Sequence, residues 1–96
     1  MTTLHLALKG EYFDAIKAGT KPEEFRLANK YWGKRLVGRT YDRIELTCGY
    51  PKRGDTERRL VLPFRGYRLT TITHPHFGDQ AVEVFAIDVS RESRND

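Results

Sequence analysis

The strongest constraint on this chain is a change of rhythm between residues 11 and 27. From Glu11 to Ala18 the side chains Tyr12, Phe13, Ala15 and Ile16 recur at helical spacing, and Gly19 follows as the residue type that ends helices in a left-handed cap. Pro22 has no amide hydrogen with which to continue a helix, and it steers Lys21 toward extended backbone. From Glu23 the period becomes two: Phe25 and Leu27 share one face of a strand while Glu24 and Arg26 share the other. A short helix must therefore give way through a tight turn to a strand, and the junction carries an ammonium, a carboxylate and a guanidinium. Two arrangements satisfy that spacing. One is a polar site; the other is a solvated sheet face with exposed ion pairs, which are common and weak.

The flanking stretches read mostly as strands. Thr3 to Lys9 alternates, with Leu4, Leu6 and Leu8 on one face, and Gly10 ends it. Asn29 to Arg39 holds Trp32, Leu36 and Val37 among basic residues and two glycines, and reads as a turn of helix and a loop. Tyr41 to Cys48 alternates again, with Ile44, Leu46 and Cys48 inward, which makes Cys48 a small buried hydrophobe rather than a nucleophile. Pro51, Gly54 and Asp55 mark a long hairpin tip made basic by Lys52, Arg53, Arg58 and Arg59. A strand then runs through Leu60, Leu62 and Phe64, is bulged at Gly66, and resumes through Tyr67, Leu69 and Thr71. Val82 to Val89 is apolar on both faces apart from Glu83 and Asp88, the pattern of a central strand. The class is α+β, mainly β: one domain over residues 1–90 and a disordered polar tail at 91–96.

Composition narrows the function. At 39% hydrophobic and 31% charged residues the chain is an ordinary globular one. No apolar run approaches the roughly 18 residues of a membrane span, and the first residues lack the regions of a signal peptide. A cytoplasmic protein with no membrane partner is expected. His74-Pro75-His76 offers two histidines but no third ligand at a recognised spacing, so no metal and no cofactor is assigned.

Charge is unevenly spread: the net charge of +4 comprises a middle segment, residues 30–68, with eleven basic and four acidic groups, followed by an acidic final stretch. Tyr31, Trp32, Tyr41, Tyr50 and Tyr67 are interleaved with that basic segment. Flat rings that stack on bases, beside cations that meet phosphates, are what single-stranded nucleic acid requires. A basic surface that only keeps the protein dissolved is the plainer alternative.

The run Gly19-x-Lys21-x-x-Glu24-x-Arg26 resembles the G-x-K-x-x-E-x-R signature of the ASCH family, with all of its fixed positions matched. The order of elements around it, a first strand, one short helix, the signature, then strands ending in an apolar one, is similar to that of an ASCH domain. The resemblance implies a small PUA-like mixed β-barrel of five to six strands with one or two short helices. It also implies a cleft beside the signature that faces single-stranded RNA or a modified nucleotide, with Lys21, Glu24 and Arg26 at its floor. The two cations can hold a phosphate or a base carbonyl, and Glu24 can accept protons from a base edge. Tyr12 and Trp32 are candidate stacking surfaces, and Arg35 and Arg68 are further candidate RNA contacts.

Catalysis stays open beside binding. Some ASCH proteins resemble metal-independent ribonucleases, a role in which Lys21 and Glu24 would be the catalytic pair, deprotonating a 2′-hydroxyl and stabilising the developing charge. Another branch hydrolyses acetylated cytidine with a lysine, a threonine and a distant glutamate. This chain departs from that branch, with Glu24 in the place of the threonine and the short stretch Thr73 to Gln80 in the place of the helical insertion.

Overall fold

The alternation of the first strand decides which way the molecule faces. In the computed structural model, which describes residues 2–75 and 78–90, Leu4, Leu6 and Leu8 of β1 (Thr3–Leu8) are all buried. They meet Ile44 and Leu46 of β3 (Arg43–Cys48) and Leu62 of β4 (Arg59–Pro63). These strands form one three-stranded sheet in the order β1-β3-β4, with β1 parallel to β3 and β3 antiparallel to β4. A parallel pair needs a crossover. Here it is the whole of α1 (Gly10–Lys17), β2 (Glu23–Leu27) and α2 (Lys30–Leu36).

β2 belongs to a second, antiparallel sheet in the order β2-β6-β5, with β5 at Tyr67–Ile72 and β6 at Val82–Asp88. β6 is the central strand that its apolar run predicts, with Val84, Phe85, Ala86 and Ile87 all buried. Phe85, Ile87 and Val89 from this side, Phe13 and Ile16 from α1, and Leu36 from α2 complete one hydrophobic core with the first sheet. Burying such side chains is worth about 1.5–3 kcal/mol each, and α1, too short to stand alone, is held by Phe13 and Ile16.

Two expectations change. The strand predicted to run through a bulge at Gly66 is two strands in different sheets: β4 ends at Pro63, and β5 begins at Tyr67. Gly66 sits at φ 95°, its carbonyl accepts the Asp88 amide at 3.0 Å, and Arg65 clips the corner by donating to the Ser90 carbonyl at 2.7 Å. The glycine thus turns the chain from one sheet to the other instead of bending one ladder. Accordingly, the described strands make two three-stranded sheets, neither of which closes on itself.

Smaller differences have local causes. α2 runs for seven residues rather than one turn because Asn29 caps it, its Oδ1 accepting the Trp32 amide at 2.9 Å. Cys48 is half-buried at the margin of the core. The predicted tail, 91–96, lies outside the described residues, as do His76 and Phe77. Among the described residues, no helix is long and apolar enough to cross a membrane.

Candidate functional site

The site is built by the end of α1. Ala18 caps the helix and Gly19 follows at φ 85°. The Gly19 amide donates to the Ile16 carbonyl and the Thr20 amide to the Ala15 carbonyl, each at 3.0 Å. This is the pairing of a Schellman turn, which satisfies carbonyls that the helix end leaves open. The Thr20 hydroxyl and the Lys21 amide also donate to Ala15, at 3.1 Å and 3.2 Å, so the backbone of Lys21 is fixed before β2 begins.

Register then aims β2. Glu24 lies opposite Ile87, and Arg26 opposite Phe85, and both of those partners belong to the hydrophobic core that the two sheets share. The charged face of the strand is therefore the one that turns toward the interior, while Leu27 is left 37% exposed. Glu24, at 6% exposure, is the one buried charged residue among those described. A carboxylate there must be compensated. Lys21 Nζ lies 3.4 Å from Oε1, and Arg26 Nη2 lies 3.1 Å from Oε2, which answers the choice left open by the spacing: this is a sheltered triad, not a solvated face.

Each member has capacity left. Lys21 donates to the Glu23 carbonyl at 2.6 Å as well as facing Glu24, leaving one of its three N–H groups. Each carboxylate oxygen of Glu24 holds one cation and has room for a second donor. Arg26 Nη2 also donates to the Ala7 carbonyl of β1 at 3.1 Å, tying the two sheets together, while its Nε is buried with no hydrogen-bond partner. Two cations around one carboxylate leave the triad with a net positive charge.

Beside it, between β1 and β2, lies a cleft of about 310 Å³. Lys21, Glu24 and Arg26 line it together with Tyr12, Phe25 and Trp32. Lys21 Nζ sits 5.6 Å from the ring centre of Tyr12 and 4.7 Å from that of Phe25, and the Arg26 guanidinium lies 5.1 Å from that of Trp32. Such cation–aromatic contacts hold the charges in place while leaving ring surface available.

The structure thus brings together five of the residues singled out by the sequence: Lys21, Glu24, Arg26, Tyr12 and Trp32. Arg35 and Arg68 are not among the residues that line the cleft. The Arg35 guanidinium lies 3.8 Å from the ring centre of Tyr31 on α2 and donates to the Tyr31 carbonyl. Arg68, on β5, forks onto Glu23 with Nε to Oε2 at 2.8 Å and Nη2 to Oε1 at 3.0 Å. By register it shares a face with Ala86 and Phe25, opposite that of Glu24. The hydrogen bond to Glu23, then that carboxylate's charge, raises the pKa of Arg68 above the ordinary guanidinium value.

Sequence reasoning missed Phe25, Asn29 and His74, which also line the cleft. An asparagine at the start of a helical stretch is a signal that could have found Asn29, but nothing local marks the Ala7 carbonyl. Among the described residues, no three His, Cys, Asp or Glu side chains are grouped to hold a metal ion. The chain has no match among models of known families, curated proteins or solved structures.

Proposed function

We propose that this chain is a nucleotide-binding domain of the ASCH type, an opened PUA-like barrel, that seats one nucleotide of a single-stranded RNA in the cleft between β1 and β2. The observation that carries the reading is the buried carboxylate of Glu24 clamped by Lys21 and Arg26 at the floor of an aromatic-walled recess. Burying a charge triad is costly for a fold and brings little net stability, whereas it supplies both signs of hydrogen-bonding group to a polar ligand. Glu24 accepts from amino or imino groups of a base edge, Lys21 donates to a carbonyl or phosphate oxygen, and the net positive charge favours an anion. Tyr12 and Trp32 supply ring faces of the kind on which bases stack. The volume, about 310 Å³, is at the small end of ligand pockets, as a single nucleotide requires.

Binding is favoured over ribonuclease chemistry because both oxygens of Glu24 are already engaged by cations, a state suited to recognition more than to proton abstraction. Titration of short single-stranded RNA against the protein tests the proposal, with the emission of Trp32, the sole tryptophan, as the signal. Lys21→Ala is expected to weaken binding by roughly 10- to 150-fold, the loss of a charge-assisted hydrogen bond worth about 1.5–3 kcal/mol. Affinity of the parent should also fall as salt rises. Unchanged affinity in Lys21→Ala would remove the cleft from the interface. RNA that is cut by the parent and spared by Glu24→Gln would reassign the site to a ribonuclease.

A further inference from the structure

A second hollow, of about 300 Å³, adjoins the first and shares Ala7, Arg26 and Trp32 with it. It lies over the outward face of the first sheet, where Ala7 and Thr47 are register partners. Its remaining lining is His5 and Leu6 of β1 together with two phenol rings, Tyr31 on α2 and Tyr50 just beyond the end of β3. Tyr50 is 93% exposed, and among the described residues its side chain makes no hydrogen bond or ring contact, an unusual placement for a side chain with so much apolar surface. Lys52 and Arg53 follow it in the same loop, and the Arg35 guanidinium stacks at 3.8 Å on Tyr31.

Exposed rings interleaved with cations are the recurrent equipment for holding successive bases of a single strand. The wall between the two hollows is the Arg26 guanidinium and the Trp32 ring, 5.1 Å apart. A cation placed between two aromatic-lined recesses suits the phosphodiester that links two nucleosides. We infer that the second hollow is a subsite for the adjoining nucleotide, whose base stacks on Tyr50, so that the smallest complete ligand is a dinucleotide bridged across Arg26. This rests on the nucleotide reading of the first cleft and deepens it.

The test compares two sets of probes that carry the same diester charge. One set is the ribonucleoside 3′-methylphosphates of all four bases; the other is the dinucleoside monophosphates, which add a second base. Trp32 lines both hollows, so its emission reports either probe. In the parent the best dinucleotide should bind roughly five- to 150-fold more tightly than its methyl ester, the contribution of one stacked base. Tyr50→Ala should abolish that advantage and leave methyl-ester affinity within about twofold of the parent. Equal affinity of the two probe sets in the parent, or an advantage that survives Tyr50→Ala, overturns the second subsite while leaving the first cleft standing. Failure of both probe sets to bind overturns the reading of both hollows together.

Discussion

Arg26→Met tests whether the triad is as sheltered as its geometry implies. The substitution keeps an unbranched stem beside Trp32 but deletes the ion pair of Nη2 with Glu24 Oε2 and its hydrogen bond to the Ala7 carbonyl, both at 3.1 Å. A charged contact to a buried carboxylate contributes about 1.5–3 kcal/mol and a neutral hydrogen bond about 1 kcal/mol. Against this, the unpartnered Nε–H disappears, returning about 1 kcal/mol. The net expectation is a loss of about 1.5–3 kcal/mol, or roughly 6–24 °C in Tm for a domain of this size.

Urea unfolding gives the measurement directly, with a lowered midpoint at unchanged slope as the signature of a stability change. The double variant Glu24→Leu with Arg26→Met separates the pair from its surroundings. A buried ion pair replaced by apolar groups is often tolerated, so the double variant should recover about 1 kcal/mol or more relative to additivity. A cost below about 0.5 kcal/mol for Arg26→Met, the range of exposed pairs, would refute the argument that Glu24 depends on this partner.

Other consequences are quicker to check. Gly19→Ala forces an alanine to φ 85° and should cost about 1–2 kcal/mol by the same unfolding assay; no change would mean that the α1 terminus can be remade another way. Arg68→Ala should leave nucleotide affinity within about twofold, since an exposed pair outside the cleft contributes little, and a larger loss would extend the interface across the second sheet. Because Glu23 raises the pKa of Arg68, that guanidinium's contribution to stability is complete below the ordinary arginine value and is lost only as pH climbs through the raised one. Melting temperatures of the parent and Arg68→Ala should therefore keep a constant difference from neutral to mildly alkaline pH.

How much of this was legible in the sequence depends on whether the information was local. The leucine alternation of β1, the helix stop at Gly19 and the apolar run of β6 are short-range patterns, and each appears where the residues place it. The corner at Gly66 was visible as a break but not as a change of sheet, because a glycine with positive φ serves a bulge and a crossover equally well. Alternation along β2 grouped Glu24 with Arg26 but could not say which face turns inward; pairing with Ile87 and Phe85, some sixty residues later, decides that. Arg68 looked like a free cation of a basic segment because its partner Glu23 is 45 residues away. Part of that segment's charge also serves loop structure: Arg39 donates to the Lys34 carbonyl, and Arg59 to those of Pro51 and Lys52.

The recess exists because a ladder does not. β1 and β2 are the outer strands of their respective sheets, and had their neighbouring margins zipped together, amide to carbonyl, the six strands would join seamlessly and nothing could enter between them. One arginine side chain at Ala7 stands in for that missing backbone pairing, so the protein keeps a slot open along a seam where strands have a standing tendency to add further strands. Under the reading proposed above, a ligand seated there would also cover that margin against pairing with another strand.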